Sequence, residues 1–148
     1  CWFLLPECFF YAQAVVRAEK PVAPLRKESF TNYNILLMNW IPLENTDELE
    51  ALLTRSSHRP QVIFKHSTRC SVSSMIKNRL ERSEAPPEID FHYLNLIRFR
   101  ALSNEIATKF DVHHESPQVL LIENGECIYA EDHSAIHMEE IKEQINLA

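Results

Sequence analysis

Glycine is almost missing from this chain: among 148 residues there is one, Gly125. That excludes the glycine-rich loops that wrap backbone amides around nucleotide phosphates. Cysteine is sparse too, with four at positions 1, 8, 70 and 127. Their spacing matches neither a zinc ribbon nor the dense framework of a disulfide-stapled domain. A chain of this length buries a core without such staples. Few, scattered thiols fit a reducing compartment, so a cytoplasmic location is expected. Basic charge is also short: 15 Lys and Arg against 21 Asp and Glu give a formal net charge of −6. The electrostatic footprint of a nucleic-acid binder is therefore lacking, and no nucleic-acid partner is expected. No apolar run reaches the ~20 residues of a membrane span, so no membrane partner is expected either.

What is present divides at Met38. Residues 1–16, CWFLLPECFFYAQAVV, are apolar and aromatic, and Ala12-Gln13-Ala14 resembles a signal-peptidase site. The positively charged segment that should precede such a site is missing, and Pro6 and Glu7 interrupt the run. Residues 17–34 carry prolines and mixed charges without periodicity, as a linker does. The preferred reading is an N-terminal extension or mis-called start over 1–37, then one folded domain over 38–148; an export signal and a docking arm are the other readings. Residues 1–37 hold four basic and three acidic side chains, and the remainder holds 11 and 18. The acidity belongs to the folded part.

From Thr46, "TDELEALL" reads as an N-cap, acids in the first turn, and apolar residues at 49, 52 and 53, which predicts a helix to about Ser56. "QVIFK" (61–65) is a short apolar strand of the buried kind. From Cys70, Val72, Met75, Ile76 and Leu80 share a helical face until Pro86-Pro87. Residues 89–96 alternate as a strand, and 98–110 carry Leu102, Ile106 and Phe110 on a helical stripe. Pro117 precedes the strand "QVLLIE", Asn124-Gly125 marks a type I′ hairpin turn, and "CIYA" follows. Residues 137–147 close the chain as an amphipathic helix. The order αβαβαββα implies parallel pairing through crossovers, with an antiparallel strand added by the hairpin. The expected architecture is α/β, a mixed four-stranded sheet flanked by helices, and the thioredoxin fold has this order.

Within that order Cys70 sits where a strand gives way to a helix. The positive end of a helix stabilises thiolate over thiol, and Arg69, Lys65 and His66 are candidates for further positive charge nearby. Ser67 or Thr68 is expected to cap the helix. Ser73 stands one turn on, where a second cysteine would make a C-x-x-C pair. A serine cannot resolve a mixed disulfide, but it can donate a hydrogen bond to the Cys70 thiolate. The site therefore reads as monothiol. The competing reading is that Cys70 is a small core residue. Ser116-Pro117 stands where a thioredoxin fold carries its cis-proline, which would leave the Ser116 backbone to pair with an extended substrate.

"MNWIPL", "FKHSTRCSVSSM", "ESPQVLLIENGECIY" and the acidic last helix resemble the YtxJ-type monothiol bacilliredoxins, a thioredoxin-like family tied to bacillithiol, over about residues 38–148. The resemblance implies thiol–disulfide exchange with proteins carrying bacillithiol or a similar low-molecular-weight thiol. Cys70 would be the nucleophile and Pro117 the cis-proline. The thiol would act as co-substrate, with no bound cofactor, and the S-thiolated proteins as partners of a monomer. Members often have proline after the cysteine, whereas Ser71 stands here, a change that bears on helix-start geometry. Bacillithiol carries carboxylates, and Lys65 and Arg69 are candidates to meet them. Two other functions stay open: a glutaredoxin-like carrier holding an iron–sulfur cluster between two subunits, and an interaction module with an inert thiol.

Cys127 is expected to be buried in the last strand, without a resolving role. His133 and His137 at i, i+4 and the pair His113-His114 would hold zinc only if they converged, and read better as solvated. No metal site is expected.

Overall fold

The computed structural model describes residues 38–147. The extension over 1–37 lies outside the described residues. The elements are β1 (Trp40–Pro42), α1 (Thr46–Arg55), β2 (Gln61–His66), α2 (Ser71–Arg82), β3 (Asp90–Asn95), α3 (Arg100–Lys109), β4 (Gln118–Glu123), β5 (Glu126–Asp132), a short 3-10 helix (His133–Ala135) and α4 (Met138–Leu147). The sheet has five strands in the order β1-β3-β2-β4-β5. β1 and β2 both run parallel to β3, while β4 runs antiparallel to β2 and β5 antiparallel to β4.

The fifth strand, β1, corrects the expected count of four. It has three residues, paired Trp40 with Phe91, Ile41 with His92 and Pro42 with Tyr93. Three residues are too few to show an alternating pattern, and proline is tolerated because the strand lies at the sheet edge.

The helices begin and end for local reasons. The N-cap of α1 is Asn45, one residue ahead of the expected Thr46, and its side chain accepts from Glu48 N at 2.9 Å. Thr46 Oγ1 instead donates to Glu105 of α3. Asn124 and Gly125 have φ of 52° and 80°, the double positive φ of a type I′ turn. Ser56 holds that turn through its carbonyl, which accepts from Asn124 N at 2.9 Å, and its hydroxyl, which accepts from Gly125 N at 2.8 Å.

Helices cover both faces of the sheet, so the core has two layers. On one face Ile76 and Leu80 of α2 and Ile141 of α4 pack on Val62, Phe64, Phe91, Val119 and Leu121. On the other, Leu49 and Leu52 of α1 and Leu102 and Ile106 of α3 pack on Ile63, Leu94, Leu120 and Ile122. All six residues of β2 are buried. This central strand ends at the bottom of the loop that carries Cys70.

Candidate active site

Cys70 is itself the N-cap of α2, with extended backbone (φ −108°, ψ 119°) and no side-chain capping bond. Ser67 and Thr68 do not cap the helix, contrary to the sequence reading. Ser67 shapes the approach instead: its carbonyl accepts from Cys70 N at 3.2 Å and closes a turn over residues 67–70. The first intrahelical bond runs from Ser74 N to Cys70 O at 3.1 Å. The N–H groups of Ser71, Val72 and Ser73 precede it, at the helix end where the thiol is attached. Cys70 is a free, half-buried cysteine. The residue after it, Ser71, is exposed and is the first of the helix.

Ser73 is fully buried. Its hydroxyl oxygen accepts from Ser67 N at 3.1 Å and lies 2.7 Å from His66 Nδ1. No hydrogen bond joins it to Cys70. The expected donation to the thiolate is corrected: the hydroxyl's partners are the Ser67 amide and the buried imidazole. His66 is corrected as well. Burial, helped by the positive Lys77, holds its pKa below the usual imidazole value despite contrary pulls from Ser73 and Glu81. At neutral pH it is uncharged and adds no positive field at Cys70.

Lys65 departs furthest from expectation. It alternates with Phe64 and His66 and so lies on the other face of β2, wholly buried, with Nζ donating to Ser103 O of α3 at 3.3 Å. Burial pushes its pKa down to about 8, against a smaller upward pull from Cys127. It cannot meet a substrate carboxylate beside Cys70. Arg69 is exposed next to the thiol and makes no hydrogen bond or ion pair among the described residues. It is the basic side chain left free at the site.

The Ser116–Pro117 peptide is cis. The last β2–β4 pair is Lys65 with Gln118, so the next step along the two chains places Pro117 beside His66, at the root of the cysteine loop. Pro117 O accepts from His133 N at 3.0 Å, which ties this loop to the 3-10 helix. The Ser116 backbone has no hydrogen-bond partner among the described residues, and its hydroxyl is buried and unpaired.

Cys127 is half-buried in β5, its thiol donating to Tyr129 O at 3.3 Å and pushed up in pKa by burial. Among the described residues no three His, Cys, Asp or Glu side chains gather as a metal-ligand set. His113 and His133 approach Glu115, at 3.3 and 4.0 Å, while His137 lies 3.3 Å from Arg79.

Around His66 the structure assembles groups that the sequence reading did not single out. The ring packs at a tilt against the cross-strand pair Phe64 and Tyr93, with centroids at 5.8 and 5.5 Å. Lys77 Nζ lies 5.9 Å from the ring centres of both Trp40 and Tyr93 and pairs with Glu81, which also accepts from Trp40 Nε1. Period-two spacing of Phe64 and His66 was the available signal, since it puts both on the α2 face.

A single thiol at a helix start beside a cis-proline is the arrangement against which known proteins can be compared. The family model for "Monothiol bacilliredoxin BrxC" matches residues 41–141. The chain belongs to the monothiol bacilliredoxin family. It is similar to a solved structure described as having a thioredoxin fold and taken to be an oxidoreductase, at 28% identity, TM-score 0.63, covering 71% of this chain and 92% of that one. Mitochondrial thioredoxin 3 of Saccharomyces cerevisiae matches at 17% identity and TM-score 0.57, covering 74% and 95%. Malassezia sympodialis thioredoxin matches at 14% and 0.58, covering 74% and 90%. These last two carry the fold alone. The bacilliredoxin fold is thus thioredoxin-like, and the chain is a thiol oxidoreductase by family. Among the described residues no helix is long and apolar enough to cross a membrane.

Proposed function

We propose that this chain removes bacillithiol, or a similar low-molecular-weight thiol, from protein mixed disulfides. Cys70 thiolate attacks the small thiol's sulfur, the S–S bond to the target breaks, and the target leaves as thiolate and takes a proton from water. A disulfide between Cys70 and the small thiol remains. A second molecule of that thiol, as thiolate, attacks the small-thiol sulfur, which regenerates Cys70 and leaves the symmetrical disulfide as product. Exchange through a mixed disulfide favours a thiol with high thiolate fraction and a clear approach.

The observation that carries this reading is the seating of Cys70 with Ser73 locked away from it. A turn on, where a resolving thiol would act, stands a hydroxyl already committed to Ser67 and His66. Resolution therefore falls to a thiol from outside. In this reading the Ser116 backbone, unpaired among the described residues, pairs with an extended target segment, and exposed Arg69 meets a carboxylate of the small thiol.

The test is intact mass after incubating reduced protein with bacillithiol disulfide and, separately, with glutathione disulfide, with Cys70→Ala as control. One adduct on Cys70, formed faster with bacillithiol and lost on adding free bacillithiol, is the expected result. Preference for glutathione would keep the chemistry and change the thiol. No adduct with either would sink the exchange reading.

A further inference from the structure

The most constrained polar group near Cys70 is one that the exchange steps do not use. His66 is 5% exposed and Ser73 fully buried. Ser67 N already donates to Ser73 Oγ, so the serine's own proton must find an acceptor elsewhere, and His66 Nδ1 at 2.7 Å is the acceptor present. An uncharged imidazole with its proton on Nε2 takes that bond. A protonated ring would turn Nδ1 into a donor on the oxygen's second lone pair and leave the serine proton without an acceptor. The ring cannot easily swing away, being buried and packed at a tilt against both Phe64 and Tyr93. Its strand is fixed as well, since His66 O accepts from Leu96 N at 3.0 Å. The chain of bonds runs from His66 through Ser73 and the Ser67 amide to the Ser67 carbonyl, which holds Cys70 N.

We propose that His66 is a positioning residue for Cys70: its buried imidazole accepts the Ser73 hydroxyl proton and so staples the 67–70 turn to the first turn of α2. The serine of C-x-x-S is then a strut for the loop. It substitutes for the second thiol in the loop's geometry while leaving the redox step to one sulfur. Charged and titratable groups facing the ring are Lys77 and Glu81 from α2 and Tyr93 from β3, and Lys77 opposes its protonation. The inference rests on Cys70 as the exchanging thiol.

The test uses iodoacetamide alkylation of Cys70 together with exchange against bacillithiol disulfide, on the full chain. His66→Phe keeps an aromatic ring against Phe64 and Tyr93 but has no acceptor, and Ser73→Ala removes the strut. Each is expected to slow alkylation about tenfold, the weight of one hydrogen bond. The double variant should be no slower than either single one, because both break the same link. His66→Asn, whose side-chain oxygen reaches the Nδ1 position, should recover most of the rate. Circular dichroism melts check that each variant is folded, and Ser73→Ala serves where His66→Phe is not. Wild-type alkylation rates in both single variants would overturn the proposal, as would losses that multiply or an Asn variant as slow as Phe. Alkylation needs no bacillithiol chemistry. If wild-type protein fails to exchange yet the alkylation pattern holds, the functional reading falls and the staple stands.

Discussion

Lys65 donates to the backbone carbonyl of Ser103 at 3.3 Å, beneath α3 and on the opposite face of the sheet from the helix that begins at Cys70. Burial has pushed its pKa down from 10.5 to about 8. Below pH 8 the ammonium is charged in both folded and unfolded chains, and the folded state bears the full cost of burying it, ~3 kcal/mol for a shift of this size. Between 8 and 10.5 only the unfolded chain keeps the proton, so stability should rise with pH across that window. Lys65→Met should be more stable than wild type at pH 7 by ~1–3 kcal/mol, with the gap closing toward pH 10.5. Urea denaturation of both proteins at pH 7, 8.5 and 10 measures this, and a gap that ignores pH would show that Lys65 is not the titrating group.

His92 gives the acid limb. Its Nε2 lies 2.8 Å from Gln61 Oε1, and Gln61 Nε2 in turn donates to Arg59 O and Asp90. Burial first, and then Arg55, hold its pKa down at about 4, against an ordinary value of 6.5. Above pH 6.5 the ring is neutral in both states and the site contributes fully. As pH falls from 6.5 to 4, only the unfolded chain takes the proton, and ~3 kcal/mol of stability is lost. His92→Gln keeps a donor for Gln61 and does not titrate. Its stability should fall less steeply over that window than wild type, as followed by thermal melts between pH 7 and 4.

Ser71 is the first helical residue of α2, a position where proline fits because the N–H there has no intrahelical partner. Proline also requires extended backbone in the residue before it, and Cys70 has φ −108° and ψ 119°. Ser71→Pro should therefore stabilise the protein by ~0.4–1 kcal/mol through the unfolded chain. Chemical denaturation checks the sign. Destabilisation would mean that proline forces the Cys70 turn to shift.

How legible the fold was depended on how much of each element's environment repeats along the chain. Amphipathic α2 showed its buried face only in part, since Ile76 and Leu80 are buried whereas Val72 and Met75, read onto the same face, are exposed; Asn124-Gly125 announced the hairpin by turn chemistry alone. β2 hid its faces. All six of its residues are buried, so no polar and apolar alternation tells which way Lys65 or His66 points, and the basic side chains there were read as lying near Cys70 because they are near in sequence. Period two alone would have separated them. The Ser73 geometry was illegible for another reason: its partners, Ser67 and His66, are set by the turn that precedes the helix, and turn shape leaves no periodic trace.

Cys127 tests the monothiol reading from the far end of the sheet. Its register partner is Ile122, which pairs with Gln61 at the start of β2, whereas Cys70 lies beyond His66 at that strand's other end. Five strand steps at about 3.3 Å separate those ends by ~16 Å. A disulfide needs Cα atoms within about 7 Å, so the two thiols cannot join without tearing the sheet. Cys127→Ala should form and release the Cys70 adduct at wild-type rates, at a stability cost of ~1 kcal/mol or less for a small, half-buried side chain. Rapid-quench mass spectrometry on the wild-type adduct, with no free thiol added, should show the adduct persisting. Conversion to a Cys70–Cys127 disulfide in the folded protein would overturn both the register argument and the need for an outside thiol.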